Sequence, residues 1–233
     1  MQNSVLTIKI KQRLNKLDSQ DYDNIECWQI VEAFNKAQVE WTRRQLHGLN
    51  IIKEGDEQST RRIDDLQVLL TKNTLTTSVN GIYFEADIPS DYLEWKRLDI
   101  YASSECCDIN RRMVAYLAEE ANVNNLLRDI AKQPSFEWGE TFATLINNKL
   151  NIYSDNKFKV KTADLVYYRQ PRKIQILNCV DPYTGLASTQ DITCEFKDDI
   201  VEVMLDDAAS ILAGDIESVN QFSRGTETAE RNN

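Results

Sequence analysis

Histidine occurs once in the 233 residues, at His47 beside Gly48. A His-paired nucleophile that needs a second His, or a His/Cys metal cluster, is therefore excluded, and a lone His at a helix end suits the C-terminal dipole. The seven glycines are scattered singly, so there is no Gly-rich phosphate loop. Five cysteines (Cys27, Cys106, Cys107, Cys179, Cys194) form no CxxC pair and no even framework. They read as reduced thiols of a cytoplasm, with Cys106-Cys107 either a redox pair or ordinary packing. No apolar run reaches the ~18 residues of a membrane span, and Met1 to Lys11 lacks the apolar core and cleavage site of a signal peptide. Positive charge is also scarce: 27 Lys and Arg against 37 Asp and Glu give a net charge of −10. Non-specific attraction to nucleic acid or an anionic membrane is disfavoured by that balance. No internal repeat and no Pro/Gly-rich linker separates two domains.

What is present begins with helices at both ends. From Cys194 to Phe222, Phe196, Ile200, Val203, Met204, Ala208, Ile211, Leu212, Val219 and Phe222 recur at three- and four-residue steps. This is one apolar stripe of period 3.6. Glu195, Asp198, Asp199 and Glu202 crowd the first turns, where the helix dipole favours carboxylates. Unbroken, this helix is about 40 Å long and needs a long partner. Ile25, Trp28, Val31, Phe34 and Trp41 supply it, on a helix capped by Asp21 or Asp23 and stopped at Gly48. The expected antiparallel pair has Trp28, Val31, Phe34, Ile200, Met204 and Ile211 as its core. Near the N-terminus, Lys9, Lys11, Arg13 and Lys16 form a basic run that either solvates a face or docks an acidic neighbour.

Between the helices the pattern is extended. Thr74 to Val79, Asn80-Gly81 and Ile82 to Ile88 carry a clear hairpin signal. Trp95 to Ala102, Arg112 to Leu117, Lys157 to Arg169 and Ile174 to Cys179 read as strands. Glu119 to Lys132 reads as a helix with Leu126, Leu127 and Ile130 inward, and Asp181 to Gly185 as a turn. The fold class this predicts is α+β: long N- and C-terminal helices packed as a helical bundle, with an inserted, mostly antiparallel β-region at about 74–179. One domain covers 1–222. Residues 223–233 form an extended polar tail without a large apolar side chain. Such a segment cannot offset its own ordering entropy. Its Arg224, Thr226, Glu230, Arg231 and Asn233 are the residues expected to engage something outside the domain.

Catalytic candidates are sparse. Asp198-Asp199 and Asp206-Asp207 offer carboxylates at helical spacing for a Mg²⁺ site or a glycosidase pair, as do Glu119 and Glu120. Carboxylates on the outer face of an amphipathic helix are solvated in most proteins, and the spacing shows no convergent set. No cofactor and no metal is called for, and the chain is not expected to be an enzyme.

Taken together, Ile88-Pro89-Ser90-Asp91-Tyr92-Leu93, Pro134-Ser135-Phe136-Glu137-Trp138 and Leu165-Val166-Tyr167-Tyr168-Arg169-Gln170-Pro171 carry a resemblance. With the Ala-rich closing helix (Ala208, Ala209, Ala213) and the polar tail, they resemble head–tail connector, ring or adaptor proteins of tailed bacteriophages, most like those of crAss-like and podovirus-like phages. The resemblance implies a homo-oligomeric ring of about twelve copies in the neck or tail of a virion, made in the host bacterial cytoplasm. It further implies contacts with the portal protein and neighbouring connector proteins, and head-to-tail interfaces between copies. About twelve copies at −10 each would place a charge near −120 around passing double-stranded DNA, repelling phosphate so that the duplex slides. The alternatives are a tail-associated cell-wall hydrolase and a bacterial interaction module.

Deleting Ser223 to Asn233 is expected to leave the remaining chain folded and to weaken its assembly. Thermal melting and particle incorporation of the truncated chain test this; unfolding of the truncated monomer refutes it.

Overall fold

The computed structural model describes residues 1–15, 25–47, 60–104 and 110–215. The chain divides into two compact units, Met1–Val68 with Pro171–Asn233, and Leu69–Gln170. The first unit holds helices α1 (Asn3–Asn15), α2 (Cys27–His47), α3 (Thr60–Leu66) and α5 (Asp198–Asp215). The second holds strands β1 (Leu70–Thr76), β2 (Ser78–Asn80), β3 (Tyr83–Asp87), β4 (Tyr92–Ser104), β5 (Asn110–Leu117), β6 (Glu140–Ile146), β7 (Lys149–Tyr153) and β8 (Phe158–Arg169), with the short helix α4 (Val123–Arg128).

The eight strands form one sheet in the order β1-β8-β4-β5-β6-β7-β3-β2. Every neighbouring pair is antiparallel except β5–β6, which is parallel and is bridged by the stretch containing α4. The two outermost strands, β1 and β2, are consecutive lengths of chain separated only by Thr77. Thr76 lies opposite Thr162 of β8, whereas Ser78 lies opposite Glu85 of β3. One bent segment thus serves both edges, and the Thr77 hydroxyl donates to the Val160 carbonyl at 3.0 Å at the bend. The sheet is accordingly curled into a half-barrel. Its concave face collects Phe84, Leu98, Ile100, Met113, Leu150, Ile152, Phe158, Leu165 and Tyr167 into one core.

Period-2 alternation explains which residues enter that core, and one irregularity explains an apparent break in it. In β8, Phe158 and Val160 point inward, then Ala163, Leu165 and Tyr167 do. The phase changes because the register with β4 slips between Tyr101↔Thr162 and Ala102↔Val160, leaving Lys161 as the extra residue of a bulge. Two tight turns complete the meander. Gly81 adopts φ 66° after Asn80 where the Asn-Gly signal places a hairpin. Asn147 and Asn148, with φ 50° and 61°, make the two-residue turn between β6 and β7. On the outer side, α4 covers Phe142 and Tyr153, whose rings stack at 4.8 Å. This helix ends at Arg128, because Asp129 is extended (φ −82°, ψ 111°). Ile130, expected to face inward, is therefore exposed.

The architecture expected from the sequence is overturned. The chain is built around an eight-stranded mixed sheet and five short helices, not around long terminal helices packed as a bundle. Phe196 belongs to the expected stripe and Cys194 opens the expected helical stretch, but both precede the helix, which starts at Asp198. They are buried as irregular chain, with Phe196 edge-on to Trp41 at 5.3 Å. Around α2, Gln38–Cys194 and Trp41–Phe196 join it to the chain that precedes α5, and Arg44–Asp207 joins it to α5 itself.

Phe34, Ile200 and Met204 are buried, whereas Trp28, Val31 and Ile211 are half-buried. The buried side of α2 is set by Ile30, Ala33, Phe34, Ala37 and Trp41, and that of α5 includes Val201, Leu205 and Leu212. Met204→Ala and Leu98→Ala are each expected to cost about 2–5 kcal/mol as large-to-small core changes. Ile211→Ala should cost less than either, in proportion to its smaller burial. Denaturant unfolding of the three variants checks the order.

Candidate functional site

Two features of the helical unit and one of the sheet unit concentrate polar and exposed chemistry. The first is the contact of α1 with α5. Leu6, Ile10 and Leu14 recur every four residues on α1 and are fully buried. Beside them the Met1 amine meets Asp198 at 2.6 Å, Lys9 pairs with Glu202, and Arg13 reaches both Glu202 (2.8 Å) and Asp206 (2.5 Å). The contacts advance together, so α1 and α5 run parallel. The basic run foreseen near the N-terminus thus has an acidic neighbour within its own chain. Burial works against ionisation of Glu202, yet its bonds from Lys9 and Arg13 prevail and hold the carboxyl below its ordinary range. Asp207 behaves oppositely: burial raises it, and the Arg44 partner only partly offsets that. The carboxylates considered above for Mg²⁺ or for glycoside chemistry are engaged in these pairs at Asp198, Asp206 and Asp207. Among the described residues no group of three or more His, Cys, Asp or Glu converges as a metal site.

The second feature is an arm. From Ile174 to Ile192 the chain runs out and back as an irregular hairpin, bridged at Gln175↔Ile192 and Val180↔Ala187. The expected turn at its tip forms: Gly185 has φ 68°, its N–H donates to the Asp181 carbonyl at 2.8 Å, and the Asp181 carboxylate accepts from the Tyr183 N–H and the Thr184 hydroxyl. Its base is anchored on both sides. Asn3 Nδ2 donates to the Gln175 and Ile192 carbonyls (2.9 and 3.0 Å), and the Ile174 N–H donates to Asn35 Oδ1 at 2.8 Å. Cys179 is disulfide-bonded to Cys27 at the start of α2.

That disulfide corrects the expectation of reduced thiols throughout. Cysteines 152 residues apart in sequence carry no local spacing signal, and only the fold brings their Cα atoms to 5.8 Å. The third described cysteine, Cys194, is free, and burial pushes its thiol up to about 11. Beyond the anchored base, Leu177, Val180, Tyr183 and Leu186 are exposed. Sequence reading identified the turn but missed this apolar tip. The available signal was four large apolar residues, each three apart, flanking a turn and following neither strand nor helix burial.

The third feature lies on the outer face of the sheet. Asp99 and Asp164 stand opposite each other on β4 and β8, and both are buried. Such like-charged neighbours persist because cations surround them: Arg97 and Arg112 reach Asp99 (3.1 and 2.8 Å), and Lys72 reaches Asp164 (2.6 Å) with a hydrogen bond from Thr74 (2.7 Å). The bonds from Lys72 and Thr74 hold the Asp164 carboxyl below its ordinary range. Elsewhere on this unit a polar cleft of about 260 Å³ lies between β1–β2 and β3, lined by Thr76, Thr77, Ser78, Asp87 and the Glu85–Lys149 pair. It brings together no catalytic set.

Of the residues singled out from sequence, Trp28 is half-buried and its indole N–H donates to Glu26 at 2.6 Å. Phe34, Ile200 and Met204 contribute to burial, not to a site. Arg224, Thr226, Glu230, Arg231 and Asn233 lie outside the described residues, as do Cys106 and Cys107. No described helix is long and apolar enough to cross a membrane. No protein-family model matches the chain, and no curated protein matches it.

Two outcomes follow. Replacing Cys27 and Cys179 by Ser is expected to cost on the order of 2–5 kcal/mol and to speed amide exchange across 174–192, leaving the sheet amides unchanged. Hydrogen-exchange mass spectrometry reads both; equal protection of the arm in the variant contradicts the anchoring role. Because the Asp164 carboxyl is lowered in the folded state, its contribution is complete above the ordinary carboxylate value and lost as pH falls through its lower folded value. Asp164→Asn should therefore flatten the acid limb of the stability-versus-pH curve, measured by urea unfolding from pH 6 downward.

Proposed function

We propose that the protein is a non-catalytic structural component of a tailed-bacteriophage virion, forming an oligomeric ring of about twelve copies in the portal–neck–tail connector through which double-stranded DNA passes. The observation that carries this reading is the anchored arm with its exposed apolar tip, which is an element built for contact with another chain. Stable apolar burial on a partner favours side chains that are rigidly presented, since little entropy is then lost on binding. Supporting it is the segregation of charge. The helical unit contains 15 Lys and Arg against 23 Asp and Glu, net −8, and the sheet unit 12 against 14, net −2.

In this reading the helical unit supplies the acidic surface of the passage, where repulsion of phosphate keeps DNA mobile. The portal protein and neighbouring connector proteins are the other partners, and the virion is the final location. The passage needs no cofactor.

A conduit should show negligible affinity for duplex DNA even at low salt, because a strong contact would impede passage. Duplex binding across a salt series, alongside mass determination of the assembled species, is the test. Tight binding that falls steeply with salt, the signature of phosphate neutralisation, would overturn the proposal, as would absence of the chain from purified particles.

A further inference from the structure

Asn80-Gly81 is the single Asn-Gly pair in the chain. Gly81 opens the turn after β2 with φ 66°, and Asn80 lies opposite Tyr83 where the turn closes. Asn80, Gly81 and every residue of β2 are exposed. The pair places an electrophile, the Asn80 side-chain carbonyl carbon, one residue before a nucleophile, the Gly81 backbone nitrogen. Asparagine is thermolabile for this reason, and its surroundings decide whether the two atoms meet.

Here little keeps them apart. Among the described residues the Gly81 N–H donates to no backbone carbonyl, so the nitrogen is not held in the ladder. A Cβ built on Gly81 would meet nothing within 4 Å, so no neighbouring group covers that side of the turn. The Asn80 carboxamide is restrained by one neutral bond, Nδ2 donating to the Tyr83 hydroxyl at 3.2 Å. A bond of that kind slows ring closure by no more than about tenfold. The other asparagines with positive φ are less open to the same chemistry. Asn147, Asn148, Asn156 and Asn178 precede Asn, Lys, Lys and Cys, whose side chains crowd the attacking nitrogen.

We propose that Asn80 is a self-modification site, converted through a cyclic imide to aspartyl and isoaspartyl forms without an enzyme. The Gly81 nitrogen, having lost its proton to solvent base, attacks Asn80 Cγ. The new C–N bond closes a five-membered ring, the Cγ–Nδ2 bond breaks, and ammonia leaves with a proton from solvent. Water then opens the imide, so one water is consumed, one ammonia is released and no electrons are exchanged. Opening at Cγ gives aspartate with an ordinary main chain. Opening at the α-carbonyl gives isoaspartate, whose main chain runs through Cβ and Cγ and is one methylene longer.

The longer form has a structural consequence that the aspartyl form lacks. Turn length fixes hairpin register, and β2 meets β3 through only three pairs, Ser78↔Glu85, Val79↔Phe84 and Asn80↔Tyr83. An added methylene at the closing pair breaks that match, and the exposed side chains of β2 bury too little to restore it. Among the described strands, this hairpin is the pairing that ties the bent β1–β2 segment to β3, while β1 is held separately by β8. Isoaspartate at position 80 therefore opens the seam of the half-barrel and leaves the rest of the sheet paired.

The test incubates the full chain at mildly alkaline pH and maps its peptides by mass spectrometry, with fragmentation that separates isoaspartate from aspartate. Conversion is expected at Asn80 ahead of every other asparagine, faster as pH rises, and absent in Asn80→Gln, whose longer side chain would need a six-membered ring. Hydrogen exchange of the aged protein should show lost protection across 78–85, with β4 to β8 unchanged. Fresh Asn80→Asp, which adds the charge without the methylene, should keep that protection. The proposal is overturned if Asn80 stays intact while other asparagines convert. It is equally overturned if isoaspartate forms with β2 still protected, or if fresh Asn80→Asp loses protection as the aged protein does.

Discussion

An apolar surface spread over strands far apart in sequence is buried only if the sheet that carries it bends. In the sheet unit, seven strands contribute to a single inward core from Leu75 to Tyr167, and a flat sheet would leave its outer members wet. Each large residue buried there is worth about 1.5–3 kcal/mol, which is the drive for curling. The chain satisfies it with the bend at Thr77, which lets one segment leave β8 and pair with β3. The bulge at Lys161 does complementary work by reversing the facing of β8 partway along, so that both of its halves feed the same interior.

The helical unit is held by a different balance. Its buried apolar residues include Ala33, Ala37, Ala208, Ala209 and Ala213 beside Phe34, Trp41 and Met204. Small residues bring helices close, and charge then ties their margins. The Lys9–Glu202 and Arg13–Asp206 pairs are partly solvated and individually modest. The Cys27–Cys179 bond adds a covalent constraint whose closed loop contains the entire sheet unit, Leu69–Gln170. It also fixes the base of the arm. A surface element that is polar at its base and apolar at its tip needs such anchoring, since its own residues bury too little to order themselves.

The distribution of charge and apolar surface gives the proposed connector role its physical content. Negative charge is concentrated in the helical unit, whereas exposed apolar groups occur on both units at places framed by hydrogen bonds. In the proposed connector, repulsion of phosphate and contact with neighbouring chains would fall on different surfaces. A ring carrying DNA requires both at once.

Much of the sheet was legible in the sequence. The Asn80-Gly81 hairpin, the strand at Arg112 to Leu117 and the alternation along Lys157 to Arg169 are local patterns, and local patterns survive folding because pleat and turn geometry impose them residue by residue. The turn at Asp181 to Gly185 belongs to the same class. The helix stripe beginning at Phe196 misled for the opposite reason: a side chain spaced for a helix was buried by neighbours without the backbone being helical. Ile130 misled because its burial depended on α4 extending beyond Arg128. The Cys27–Cys179 bond, the opposition of Asp99 and Asp164 under three cations, and the pairing of one bent segment with both β8 and β3 join residues distant along the chain. Composition and spacing determined the acidic balance, the strand-rich middle and the missing histidine chemistry. Which residues meet across those distances was decided only by the tertiary structure, because register and curvature are properties of the whole sheet and not of any single strand.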